Sequence, residues 1–152
     1  VVGLPSFVGF GSNTPGLTAL GTTINLTGLP AVNLNYAFVV PRAGTLTRLD
    51  AFFSVTAAVG VAVGNYNIHA QLYRSQSPTS NLFDALGATD VTLTPGFPGL
   101  SIALGDVATG SASFSIPVAA GDRLLLVFYV DPPALSVAAT VLGYASAGLA
   151  IS

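Results

Sequence analysis

The segment RLLLVFYV, residues 123–130, restricts the fold of this chain more than any other stretch. A strand with one wet face alternates apolar with polar residues, whereas Leu124 to Val130 are seven consecutive side chains that prefer to leave water. Both faces of such a strand must be covered. In a two-sheet sandwich only the inner face of each sheet is dry, so a strand apolar on both sides demands a third layer. Another copy of the chain is the simplest source of that layer, because obligate interfaces resemble a domain core cut in half and exclude charge. This reading turns Leu124, Leu126, Phe128 and Val130 toward the sandwich core and Arg123, Leu125, Val127 and Tyr129 toward a neighbouring subunit. The parity is set by the preference of interfaces for Arg and Tyr.

Composition fits an interface-rich domain. At 152 residues the chain forms one domain with a single core, and its charged fraction is 7% against about 25% in ordinary soluble domains. The four cations are Arg42, Arg48, Arg74 and Arg123, all six anions are aspartates, and the net charge is −2. No basic stripe is available to neutralise a phosphate backbone, which argues against nucleic-acid binding. No apolar run approaches the ~20 residues of a membrane-spanning helix, so membrane insertion is not expected. The first residues, VVGLPSFVGFGSNTPG, have no basic n-region and are broken by Pro5 and Pro15, so no secretion signal is expected here and an upstream leader would have been removed. With no cysteine there is neither a disulfide framework nor a thiolate metal site.

Seventeen glycines and ten prolines punctuate short segments rich in Val, Ile, Thr, Phe and Tyr, the signature of strands and turns. Three stretches alternate cleanly. In 45–55, Leu49, Ala51, Phe53 and Val55 oppose Arg48, Asp50, Phe52 and Ser54. In 65–73, Tyr66, Ile68, Ala70 and Leu72 oppose Asn65, Asn67, His69, Gln71 and Tyr73. In 111–118, Ala112, Phe114, Ile116 and Val118 point inward and the serines outward. Further strands are expected at 22–27, 35–40, 89–94, 100–104, 135–142 and 145–151, while 81–88 and 15–21 read as loops with some helical character. About nine or ten strands without sustained helical periodicity predict an all-β antiparallel sandwich. In the last stretch, VLGYASAGLAIS, Gly143, Ala145, Ser146, Ala147, Gly148 and Ala150 are all small. It is either an internal strand beside a bulky neighbour or a strand near a symmetry axis.

Catalytic readings find little to stand on. The single histidine, His69, shares its strand face with Asn65, Asn67 and Gln71, outside any nucleophile motif, and reads as part of a polar ladder. Asp84 and Asp90 lie near one loop and Asp106, Asp122 and Asp131 at turns, where aspartate is favoured for backbone reasons. They lack calcium-loop spacing, so no metal or other cofactor is expected. GFGSNTPG has no lysine and no following helix, so it is not a phosphate loop. Arg42 and Arg123 border turns and can pair with Asp50, Asp122 or a neighbouring subunit's carboxylate. Asn25-Leu26-Thr27 fits the N-glycan acceptor pattern, a three-residue match that chance supplies readily.

Several blocks in order, GFGSNTPG (9–16), FVVPRAGTLTRLDAFFS (38–54), AQLYRS (70–75), IPVAAGDRLLLVF (116–128) and GYASAGLAIS (143–152), resemble the C-terminal head domain of BclB-type exosporium collagen-like glycoproteins of spore-forming bacteria. The resemblance runs from about residue 8 to the end. It implies a jelly roll similar to C1q and tumour-necrosis-factor domains that assembles as a homotrimer. It also implies an upstream collagen-like stalk capped by this head, an extracellular place on the spore surface, and no catalytic residues.

The expectation is therefore one non-catalytic head over residues 1–152, with 1–8 as a stalk-to-head linker. The candidate trimer interface is Phe52, Arg123, Leu125, Val127, Tyr129, Tyr144 and Ala147. A different class of function is an adhesive module for a surface glycan or host receptor, using Tyr36, Tyr66 or Tyr73 beside Asn and Asp.

Overall fold

The computed structural model describes residues 6–9, 12–15, 21–27, 36–59, 64–131 and 140–152. Its strands are β1 (Ser6–Gly9), β2 (Ser12–Pro15), β3 (Thr23–Asn25), β4 (Phe38–Val39), β5 (Gly44–Val59), β6 (Asn65–Ser75), β7 (Leu82–Ala85), β8 (Val91–Thr92), β9 (Phe97–Pro98), β10 (Val107–Val118), β11 (Arg123–Asp131) and β12 (Thr140–Ile151). A large sheet runs β2-β1-β11-β6-β7-β3, with β4 paired to β11 and β8 and β9 to β6; a small sheet runs β10-β5-β12. All the pairings are antiparallel. The long strands alternate between sheets, β5 in the small, β6 in the large, β10 in the small, β11 in the large and β12 in the small. This crossing connectivity is that of a jelly roll, as the family resemblance implied, and it is the all-β antiparallel sandwich that the strand pattern predicted.

The core lies between the sheets. Leu49, Ala51, Phe53 and Val55 of β5 and Tyr66, Ile68, Ala70 and Leu72 of β6 are all buried in one cluster with Leu124 and Phe128 of β11. Ala112, Phe114, Ile116, Leu126 and Val130 pack against it, half-buried. The expected period-two alternation therefore holds, and each large side chain sealed here contributes roughly 1.5–3 kcal/mol of transfer free energy.

Two matching turns deliver the chain into β10 and β11. Ala103-Leu104-Gly105-Asp106 and Ala119-Ala120-Gly121-Asp122 each place glycine at φ +90, where a side chain is strained. In each turn the aspartate carboxylate accepts the alanine N–H, at 2.9 Å from Asp106 and 3.0 Å from Asp122, and the aspartate N–H returns to the alanine carbonyl. These aspartates are turn clamps, which accounts for their position in the sequence.

The third layer over β11 comes from the chain itself, which corrects the subunit-facing assignment of Leu125 and Val127. Both are fully buried, 0% exposed, in a second cluster with Ile24, Leu26, Tyr73 and Phe83. Ile24 of β3, Leu26 just after it and Phe83 of β7 supply the cover beside Tyr73 of β6, and Tyr36, Ala37 and Ala85 pack against the cluster. The cover is pinned by the Tyr73 hydroxyl donating to the Gly21 carbonyl at 2.6 Å and by Leu26 N–H donating to the Asn81 carbonyl at 2.8 Å. A charged strand face would have repelled such a flap, whereas the Leu125–Val127 stripe gives Ile24, Leu26 and Phe83 an apolar surface to bury.

Other boundaries shift. Residues 81–88, read as a loop, hold strand β7 and a 3₁₀ turn at Gly87–Thr89. The expected strand at 100–104 is instead a 3₁₀ turn, Gly99–Ser101, leading into the first of the paired turns. Residues 89–94 keep two strand residues, 22–27 three, and 35–40 two within the described part. The two C-terminal strands are one, β12, bulged between Leu142 and Gly143, and residues 132–139 lie outside the described residues. Residues 6–8 of the expected linker pair with β11, and 1–5 lie outside the described residues. Of the stretch 15–21, residues 16–20 also lie outside them.

Candidate functional site

The outward side of the small sheet presents four cross-strand rows, each running from β10 through β5 to β12. They are Val107–Ser54–Tyr144, Thr109–Phe52–Ser146, Ser111–Asp50–Gly148 and Ser113–Arg48–Ala150. One end is apolar and open: Phe52 is 39% exposed, Val107 42% and Tyr144 73%. Leu142, beyond the bulge, adds a further exposed apolar side chain. The other end carries the face's two charges, and they hold each other, with Arg48 Nε 2.6 Å from Asp50 Oδ2 and Nη2 3.1 Å from Oδ1. Hydrogen bonding from Arg48 lowers the Asp50 carboxyl below its ordinary range and raises the Arg48 guanidinium. The remaining side chains are Ser, Thr, Gly and Ala. The result is a sheet face with two exposed aromatics and no unpaired charge among the described residues.

Two of the seven candidate interface residues, Phe52 and Tyr144, meet on this face. The other five lie elsewhere. Leu125 and Val127 are sealed by β3 and β7. Arg123 turns into its own subunit, donating to the Ser80 carbonyl and at 3.3 Å to Asn81 Oδ1, with its guanidinium 5.1 Å from the Phe83 ring centroid. Tyr129 belongs to the outer side of the large sheet. Ala147 pairs with buried Ala51 and so lies on the core-facing side of β12, exposed at the sheet margin. The face was missed as a unit because its rows pair residues 53 to 102 positions apart, a register that periodicity alone does not reveal.

Of the two readings of the small C-terminal residues, the bulky neighbour applies at Gly143. A Cβ on Gly143 would sit 2.1 Å from the Ser54 carbonyl oxygen and 2.7 Å from Phe53 Cζ, so a bulky neighbour requires glycine there. A Cβ on Gly148 would meet nothing within 4 Å among the described residues, so the outward face is open there.

On the opposite sheet, β6 and β11 set His69 beside Tyr129, their rings stacked with centroids 4.7 Å apart. Asp90 accepts the Tyr129 hydroxyl at 3.0 Å and lies 3.2 Å from His69 Nδ1. His69 Nε2 faces Asp131 Oδ2 at 4.0 Å. In a Ser-His-Asp arrangement the nitrogen remote from the aspartate meets a nucleophilic hydroxyl. Here it meets a second carboxylate, so His69 is clasped between Asp90 and Asp131 and belongs to the polar ladder that its strand face predicted. Asp84 accepts the Thr23 hydroxyl at 2.9 Å, and no group of three or more His, Cys, Asp or Glu side chains among the described residues is placed to hold a metal. Tyr66 and Tyr73, considered as an exposed sugar platform, are instead 0% and 1% exposed.

Burial, the Asp90 charge and the hydrogen bond to Asp90 push the Tyr129 phenol well above its ordinary value, and burial followed by the Asp90 charge raises Tyr73. A raised folded-state value means that the unfolded chain releases these protons first as pH rises. Stability is therefore expected to hold from neutrality to about pH 10 and then fall. Tyr129→Phe should make that alkaline fall shallower, as read by melting temperature across pH 8–11. An unchanged slope would show that Tyr129 ionises alike in both states.

No family model matches this chain. The chain is similar to Collagen-like protein 1 of Acanthamoeba polyphaga mimivirus, 32% identical over 146 residues that take in 94% of this chain and 15% of that protein. No helix among the described residues is long and apolar enough to cross a membrane. Nearly the whole of this jelly roll thus corresponds in sequence to a small part of a much longer collagen-like protein.

Proposed function

We propose that the domain is the non-catalytic head of a collagen-like protein, assembling as a homotrimer through the outward face of the small sheet and capping the stalk. The observation that carries this reading is the Phe52–Tyr144 face itself: exposed aromatics on a sheet face whose two charges are already paired. Similarity to a collagen-like protein over 94% of the chain supports the stalk. A collagen triple helix needs three chains in register, and a trimeric head at their end supplies alignment and a high local concentration. Closed threefold symmetry lets one face of each subunit meet a different surface of the next and leaves none unpaired. The block resemblance to BclB-type heads extends the proposal to an extracellular site on a bacterial spore surface. Attachment to a surface glycan or host receptor is a further role for such a tip, to be read on a glycan array and in a cell-binding assay. Tyr66 and Tyr73 take no part in it, being buried.

Light scattering of the purified domain is expected to give three times the 15.2 kDa of one chain. A monodisperse monomer at micromolar concentration would remove the head-assembly reading.

A further inference from the structure

We propose that in the assembled head the β12 flank of one small sheet seats on the β10 flank of the next, with the strands aligned to the threefold axis. Tyr144 then meets Val107 of the neighbouring subunit, and Leu142 meets Leu104 of the neighbouring subunit. The inference rests on the trimer reading above and adds which surfaces touch. Seven large apolar side chains are exposed among the described residues, and five of them gather at one end of the small sheet. Phe52 stands on β5 in the middle, Leu104 and Val107 on the β10 side, and Leu142 and Tyr144 on the β12 side. The two sides match in height along β5. Val107 and Tyr144 both pair with Ser54. The turn that carries Leu104 is tied to Val55, whose carbonyl accepts the Gly105 N–H at 2.9 Å and whose N–H donates to the Asp106 carbonyl at 2.8 Å. Gly143, next to Leu142, pairs with the same Val55. Leu104 is 78% exposed, and its turn does not require it, since the matching turn carries Ala120 at that position with the same hydrogen bonds.

Symmetry and charge then select the arrangement. Rotation about an axis preserves height along it, so strands aligned to the axis bring each cross-strand row against the same row of its neighbour. Apolar rows meet apolar rows, and Ser111 and Ser113 on one flank meet Gly148 and Ala150 on the other. The Arg48–Asp50 pair stays among rows of its own kind. Strands laid across the axis would instead press the aromatic end of one face onto the charged end of the next. That contact takes an ion pair out of water and offers it no new partner, which the aligned packing avoids.

The chain contains no cysteine, so introduced thiols are its only ones and disulfide trapping is the test. In Val107→Cys/Tyr144→Cys the two thiols of one subunit are separated by β5, roughly 9–10 Å at two strand spacings. A disulfide spans only about 4.4–6.8 Å between Cα atoms, so the pair cannot close within a subunit. Oxidation in air with copper–phenanthroline should therefore join subunits, and denaturing electrophoresis without reductant should show a band at three times 15.2 kDa. Either single variant has one thiol per subunit and can give dimers at most. Leu104→Cys/Leu142→Cys, a second matched pair, should also yield the covalent trimer. Val107→Cys/Ala150→Cys, whose residues stand in different rows, should not. Light scattering of the wild type keeps the two ideas apart. A trimeric domain in which neither matched pair traps the trimer, or in which the mismatched pair does, overturns this arrangement and leaves head assembly standing. A monomeric domain removes both.

Discussion

Replacing Phe52 or Tyr144 with aspartate is expected to turn the assembled head into well-folded monomers. Both side chains are open to solvent in a single subunit, 39% and 73% exposed, so the isolated fold loses little, within about 0.5 kcal/mol for such surface changes. In the assembly the situation reverses, because each substitution strands a carboxylate in a dry contact. Uncompensated buried charge costs roughly 3–5 kcal/mol, and threefold symmetry repeats it at every interface. A factor of ten in association accompanies each ~1.4 kcal/mol, so dissociation should be essentially complete at micromolar concentration. Light scattering reads the copy number, and a thermal melt by circular dichroism reads the fold. Variants that remain trimeric would show that assembly uses another surface. Phe52→Leu, which keeps the apolar contact, should stay assembled.

Leu125 predicts the opposite pattern. Leu125→Ala is expected to cost about 2–5 kcal/mol of folding stability, the range for emptying a sealed leucine site. That is a large share of the ~5–15 kcal/mol that holds an ordinary domain together. Leu125 is 0% exposed among Ile24, Leu26, Phe83 and Val127, so its loss opens a cavity beneath the β3–β7 cover. Leu125→Asp should prevent folding altogether, since it would bury a carboxylate among Ile24, Leu26 and Phe83. Urea denaturation measures the first and soluble expression the second. A Leu125→Ala domain of unchanged stability but altered copy number would put this residue back at a subunit contact.

These two residues also show how far the chain could be read before its structure. Alternation in 45–55, 65–73 and 111–118 placed the core side chains of β5, β6 and β10 correctly, because period-two burial is a local property of a pleated strand. The same logic established that β11 needs cover on both sides, and that requirement is met. What it left open was the donor of the cover. Ile24, Leu26 and Phe83 lie from 42 to 101 positions away from Leu125, in stretches rich in turn residues, and their return over β11 depends on long-range pairing of β3 with β7. Phe52 and Tyr144 were legible as singular outward aromatics, whereas their adjacency depends on the β5–β12 register, which carries bulges at Leu142/Gly143 and Ala150/Ile151. The repeated Ala-x-Gly-Asp turns were visible as turn chemistry, and their identical hydrogen bonding follows from identical residues at identical offsets.

The Arg48–Asp50 couple has a consequence for how the subunits find one another. Opposite ions that already grip each other on one surface cast almost no field beyond it, so approaching molecules are not drawn together from afar. Encounter should then proceed at the unsteered pace of roughly 10⁵–10⁶ per molar per second and change little between dilute buffer and brine. If the domain caps a filament as proposed, its cohesion would then be indifferent to dissolved ions.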